Sequence, residues 1–171
     1  MEEYINISHT FQPVYNDKSR ILILGTFPSV KSRENHFYYG HPMNRFWKLL
    51  AVLTKTEQPV TTEEKKDFLL RHHIAIWDVI QSCSITGSGD ASIRDVVPND
   101  FTELLKKADI RKIYANGNKA HELYMKYVYS NTRRDIEKLP STSPANAGYS
   151  LEKLKEKWKI ILSELEKYSD N

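Results

Sequence analysis

Two segments of the chain carry residue types at spacings that suit chemistry. The first begins Gly25-Thr26-Phe27-Pro28-Ser29 and continues as Ser32-Arg33-Glu34-Asn35-His36-Phe37-Tyr38-Tyr39-Gly40-His41-Pro42-Met43-Asn44-Arg45-Phe46-Trp47. A glycine and then Pro-Ser after an apolar run lets the backbone approach a ligand and exposes amide donors. It is neither a Walker loop nor a Gly-x-Gly-x-x-Gly turn, because the required Gly-Lys-Ser/Thr and glycine spacing are missing. Roughly 18 residues lead to the next helix, and they are too aromatic and too rich in His and Asn for a plain connector. The second segment, Leu139-Pro140-Ser141-Thr142-Ser143-Pro144-Ala145-Asn146-Ala147-Gly148, sets three hydroxyls between two prolines. That makes a stiff loop able to donate to phosphate oxygens.

Metal chemistry is not indicated. His36 and His41 lack the i, i+4 helical spacing with a glutamate found in zinc enzymes, and the single cysteine, Cys83, has no partner. No metal and no cofactor are expected. His41, beside the first segment, is a candidate to touch a phosphate or a leaving group, and the other five histidines read as surface residues.

The elements that must hold these segments alternate between short apolar strands and helices. Ile21-Leu22-Ile23-Leu24 is a continuous apolar run, the pattern of a strand covered on both faces. Ile74–Ile80, Lys112–Ala115 and Ile136–Leu139 are the other strand candidates. Helical spacing predicts a helix over 44–53, a second opened by a capping box at Thr61 and Glu64, and a third carrying Phe101, Leu104, Leu105 and Ala108. A short helix over 118–129 follows, and then a sustained stripe of Leu151, Leu154, Trp158, Ile161, Leu162, Leu165 and Tyr168. This order predicts a three-layer α/β/α domain with a mainly parallel four-stranded central sheet. One domain over residues 1–171 is expected, with its core from about residue 20 to 168. In such a sheet the binding crevice lies beyond the carboxyl ends of the strands, which is where both unusual segments must emerge. Asn116-Gly117, at the end of the third strand, reads as a plain strand-to-helix turn, with backbone contacts at the crevice as the alternative.

Composition narrows the class further. The 171 residues are 40% hydrophobic, 27% charged and 11% aromatic, which excludes collagen-like, disordered and coiled-coil chains. No apolar run approaches the roughly 18 residues of a membrane span, and the acidic start Met1-Glu2-Glu3-Tyr4 lacks the pattern of a secretory signal. A cytoplasmic monomer without membrane contact is therefore expected. The net charge of +3 permits nucleic-acid binding without requiring it.

The strand ending in Gly-x-x-Pro-Ser, the Tyr-Tyr-Gly-His-Pro-x-Asn-x-Phe-Trp block and the late Pro-Ser-Thr-Ser-Pro-Ala-Asn together resemble the uracil-DNA glycosylase superfamily. The tyrosine-rich block is most similar to its hypoxanthine-DNA (deoxyinosine) glycosylase branch. The resemblance runs from about Ile21 to about Leu165. It implies a monofunctional enzyme that hydrolyses the N-glycosidic bond of a flipped deaminated base in DNA, hypoxanthine before uracil. Two departures stand out: Phe27 occupies the place where many members carry Asp or Asn, and Leu139 the place where several carry His. The resemblance leaves Asn44 as the catalytic residue, orienting water with its amide oxygen and donating with its nitrogen. It implies a base pocket of Gly25, Thr26, Phe27, Tyr39 and Asp78, with Phe27 and Tyr39 stacking on the base and Asp78 accepting its N1–H. Ser29, His41, Ser141, Thr142, Ser143 and Asn146 are then the DNA contacts, with Asn146 as a minor-groove wedge. Two other classes stay open at this level: a DNA-damage binding module with little catalysis, and an α/β hydrolase acting on free nucleosides or nucleotides.

Overall fold

The continuous burial of Ile21–Gly25 places this strand at the centre of a sheet covered on both sides. In the computed structural model, which describes residues 3–9, 11–86 and 92–168, it is the second of seven strands. The elements run β1 (Ile5–Ser8), β2 (Ile21–Gly25), α1 (Val30–Asn35), α2 (Phe46–Thr54), α3 (Thr62–Arg71), β3 (Ile74–Asp78), β4 (Ile80–Ile85) and β5 (Arg94–Pro98). They continue with α4 (Thr102–Lys107), β6 (Lys112–Asn116), α5 (Asn118–Tyr127), α6 (Tyr129–Thr132), β7 (Glu137–Leu139), α7 (Leu151–Trp158) and α8 (Ile160–Glu166).

Four strands form a parallel sheet in the order β3-β2-β6-β7. Alternation along β2 sorts the core. Ile21 and Ile23 pack with Phe46, Leu50, Phe68, Leu154, Trp158 and Ile161, so α2, α3, α7 and α8 cover one face. Leu22 and Leu24 pack with Leu104, Ile113, Leu123 and Tyr124, so α4 and α5 cover the other. This is the α/β/α architecture expected from the sequence.

Four details differ from that expectation. The strand predicted over Ile74–Ile80 stops at Asp78, and Ile80 opens a strand of a second sheet, antiparallel in the order β1-β4-β5. This sheet gave no sequence signal because its strands are short and partly polar, as in Ile80-Gln81-Ser82-Cys83-Ser84-Ile85. The C-terminal stripe is two helices, α7 and α8, broken at Lys159. The first 20 residues are not peripheral either: Val14 is buried and bridges Ile76 through paired backbone hydrogen bonds of 3.1 and 3.0 Å. Finally, α2 starts at Phe46, so Asn44 lies in the loop ahead of it. The capping box holds: Thr61 Oγ1 accepts from the Glu64 amide at 3.1 Å and Glu64 Oε1 from the Thr61 amide at 2.9 Å. No helix among the described residues is long and apolar enough to cross a membrane.

Candidate active site

The sheet order reverses at β2, since the chain steps from β2 to β3 on one side and later to β6 on the other. A crevice at such a point is where α/β sheets bind ligands. Here it is a cavity of about 180 Å³ at the ends of β2, β3 and β6, lined also by Ser141, Thr142 and Ser143 of the Pro140–Gly148 loop. Gly25, Thr26, Phe27, Ser29, Tyr39, Asn44, Asp78, Ser141, Thr142 and Ser143 all line it. His41 and Asn146 do not.

One wall is a closed chain of hydrogen bonds. The Thr142 backbone amide donates to Asn116 Oδ1 at 3.0 Å, which fixes the Asn116 amide so that its Nδ2 donates to Thr142 Oγ1 at 3.0 Å. The Thr142 hydroxyl proton therefore goes to Asn44 Oδ1, 2.8 Å away. That oxygen also accepts from the Phe46 backbone amide at 2.9 Å, which caps α2 from two residues ahead. Both lone pairs of Asn44 Oδ1 are thus engaged, contrary to the expectation that the oxygen orients a water. What Asn44 offers the cavity is its Nδ2, which has no hydrogen-bond acceptor among the described residues.

A second wall is built around Asp78. A β-carbon on Gly25 would lie 2.5 Å from Asp78 Oδ1 and 3.0 Å from Tyr39 Oη, so only glycine lets the carboxylate and the phenol converge over the end of β2. Tyr39 has a left-handed backbone with φ of 53°, a strained conformation for a bulky residue that turns its ring inward. The ring stacks on Phe46 with centroids 3.9 Å apart, so one face is already covered. The stacking role expected for Tyr39 thus gives way to its hydroxyl, which is buried without a partner among the described residues. Burial first, then the nearby Asp78 carboxylate, pushes its pKa far above the usual phenol value against a smaller opposing effect of the Asn116 amide. The phenol stays a donor at any physiological pH. On the other carboxylate oxygen, His9 Nε2 sits 2.9 Å from Asp78 Oδ2.

Several contacts expected with DNA are made within the protein instead. Thr142 is fully buried, so its hydroxyl cannot reach a phosphate. Ser29 caps α1, accepting from the Ser32 amide at 3.2 Å and donating to Ser32 Oγ. His41 Nδ1 accepts from the Met43 amide at 3.0 Å and shapes the turn before Asn44, while its half-exposed ring keeps Nε2 free of any hydrogen bond among the described residues. Asn146 turns inward, its Nδ2 donating to the Ser141 carbonyl at 2.9 Å, which leaves Pro144 and Ala145 as the exposed tip rather than an asparagine wedge. Ser141 and Ser143 differ. Each hydroxyl oxygen accepts a backbone amide at 3.1 Å, and its own proton remains available to an incoming acceptor.

Sequence reasoning missed three residues here. His9 reads as a surface residue in the sequence, yet its side chain is 2% exposed. Asn116 reads as a turn residue with at most backbone contacts at the crevice, yet its side chain bonds Thr142 twice. Arg45 has no sequence-level role, yet its guanidinium holds the second loop through the carbonyls of Ser143 at 2.9 Å, Asn146 at 3.1 Å and Tyr149. No local pattern marks His9 or Arg45, but the position of Asn116 at a strand end beside the crevice was a usable signal. Among the described residues no three His, Cys, Asp or Glu side chains are grouped to hold a metal ion.

The chain matches the Uracil DNA glycosylase superfamily over residues 12–165. It is 34% identical over 157 residues to a hypoxanthine DNA glycosylase of Methanosarcina acetivorans, covering 91% of this chain and 98% of that protein. A hypoxanthine DNA glycosylase of Methanosarcina barkeri is 35% identical over 114 residues, covering 66% and 72% of the two chains. A solution NMR structure of a candidate uracil DNA glycosylase from Methanosarcina acetivorans superposes with a TM-score of 0.78 at 35% identity, over 91% of this chain and 96% of that one.

Proposed function

The chain belongs to the uracil DNA glycosylase superfamily and is a DNA glycosylase, and from that premise we propose that it releases a deaminated base, hypoxanthine in preference to uracil, from DNA. The products are the free base and an abasic sugar, the opening step of base excision repair. It works as a metal-independent, cofactor-free cytoplasmic monomer without lyase activity, since no lysine in either loop stands where a Schiff base would form.

The observation that carries this reading is the placement of an amide donor, Asn44 Nδ2, and a carboxylate acceptor, Asp78, in the lining of one cavity. Cleavage of the glycosidic bond passes through an oxocarbenium-like sugar and a departing base anion, as in glycoside hydrolysis. Asn44 Nδ2 positions the attacking water through one lone pair; the other meets C1′ as the C1′–N9 bond breaks, its electron pair leaves with the base, and the proton lost by the water ends on that base anion to give neutral hypoxanthine. Because Oδ1 is anchored twice, the donor is preorganised and needs no reorientation as charge develops. Asp78 accepts the ring N1–H of hypoxanthine. Adenine has a lone pair at N1 and is repelled there. Guanine shares the N1–H but pairs strongly with cytosine and resists extrusion, whereas a mispaired base flips at lower cost. Phe27, half-buried at the cavity edge, supports the flipped base, and the hydroxyls of Ser141 and Ser143 bind flanking phosphates.

Purified protein in the presence of chelator is expected to release hypoxanthine from duplex DNA containing deoxyinosine, and uracil more slowly. No turnover of free inosine is expected. Absence of base release from every deaminated duplex, or a strict need for a divalent ion, would overturn the reading.

A further inference from the structure

We propose that His9 is a positioning residue for base reading: it fixes Asp78 so that Oδ1 faces the cavity as an acceptor beside the Tyr39 hydroxyl, and the pair reads the lactam edge of the base. This rests on the reading of the cavity as a hypoxanthine pocket. The residue lies upstream of Gln12, where the superfamily match begins, and nothing in that match assigns it a role.

The placement follows from strand register. β4 begins two residues after Asp78, at Ile80, and β1 pairs with it antiparallel from Ile5↔Ile85 to Ser8↔Ser82. The next residue, His9, donates its backbone amide to the Gln81 carbonyl at 2.6 Å. Its side chain is thereby delivered to Asp78 from 69 positions away. The imidazole is enclosed by Phe11, Tyr38 and Phe27, with centroids 4.5, 5.8 and 6.1 Å distant. The side chains of His9 and Asp78 are 2% and 5% exposed, so neither can swing into solvent.

Hydrogen-bond chemistry then sets the polarity of the site. In the 2.9 Å contact a carboxylate oxygen is the acceptor, so His9 Nε2 donates to Asp78 Oδ2, and Nδ1 is buried without a partner among the described residues. With Oδ2 held by His9, the oxygen left over Gly25 is Oδ1, and the buried Tyr39 Oη lies beside it. An acceptor next to a donor matches the N1–H and O6 of hypoxanthine. The corresponding edge of adenine, a lone pair and an amino group, is mismatched at both positions. A site built to pair polar groups rejects a ligand that leaves them unpaired more strongly than an apolar pocket could.

The test compares single-turnover base release from duplexes carrying deoxyinosine or deoxynebularine, a purine with neither the N1–H nor the 6-oxygen. His9→Phe keeps an aromatic ring in the cage and removes the donor, while His9→Gln keeps an amide that can reach Asp78. The ratio of the deoxyinosine rate to the deoxynebularine rate is expected to fall about tenfold or more in His9→Phe, with partial recovery in His9→Gln. An equal loss on both substrates, or an unchanged ratio, would overturn the proposal. Should His9→Phe not fold, nitrogen NMR of the His9 ring in the wild-type protein decides: a proton on Nε2 supports the proposal and an Nε2 without a proton refutes it. A wild-type protein that releases no hypoxanthine would break the glycosylase reading itself and remove the proposal with it, a result distinct from an active enzyme whose ratio ignores His9.

Discussion

The two walls of the cavity satisfy their polar groups in opposite ways. On the Asn44 wall, Asn116, Thr142 and the Phe46 amide close a chain of hydrogen bonds in which each oxygen has its donors. On the Asp78 wall, His9 Nδ1 and Tyr39 Oη are buried without partners among the described residues. Buried polar atoms without partners cost free energy, and native proteins retain few of them. The first wall is a finished scaffold that aims one donor. The second holds polar capacity that a ligand completes, which is the arrangement wanted where a base must be identified rather than merely held.

The largest effect should come from removing the donor that the finished wall aims. Asn44→Ala is expected to slow the chemical step by about 100-fold or more, with DNA affinity changed little, because a preorganised polar contact acts mainly in the transition state. Single-turnover rates and equilibrium binding on the same duplex measure the two. A rate within threefold of wild type would reduce Asn44 to the cap of α2.

A smaller effect should follow when the anchor of that donor is cut. Thr142→Val preserves shape but leaves Asn44 Oδ1 with one donor and Asn116 Nδ2 without its acceptor. A stability loss of about 1–3 kcal/mol is expected from the unpaired buried groups, together with a rate loss of about tenfold from the loosened amide. Thr142→Ser retains the hydroxyl and should recover most of both. Urea unfolding and single-turnover kinetics separate the two losses, and a Val variant as fast as the Ser variant would show that the chain does not aim Asn44.

The smallest effect concerns pH and belongs to the unfinished wall. Burial raises the pKa of Tyr38 and Tyr39 well above the ordinary phenol value, and the Asp78 charge adds to both. Unfolded phenols ionise near pH 10, while the folded ones keep their protons, so the native state binds more protons there and stability declines as pH rises. The stabilising contribution is fully present below about pH 10 and is lost above it, by up to about 1.4 kcal/mol per pH unit for each such phenol. Tyr39→Phe should make this decline above pH 10 shallower while leaving the pH dependence of the urea midpoint between pH 7 and 9 as in the wild type. An identical decline in the variant would mean that Tyr39 is not held neutral by its surroundings.

What could be read along the chain was local. The apolar run of β2 announced a strand covered on both faces, Thr61 and Glu64 announced a helix start, and the two loops announced the crevice through their composition and their places after strands. Those features arise from periodicity and from side chains acting on their own backbone, so a short window contains them. The resemblance carried in those loops pointed to Asn44 and Asp78. Tertiary structure decided which atoms of these residues face the cavity. Asn44 Oδ1 is taken because Thr142, 98 positions later, arrives with a hydroxyl proton that has no other acceptor. Asp78 is half occupied because an antiparallel strand pairing, invisible in the short polar run of β4, delivers His9 to it. The residue types at the site were written in the sequence, but the direction of each hydrogen bond depended on contacts between segments far apart along the chain, which no local pattern encodes.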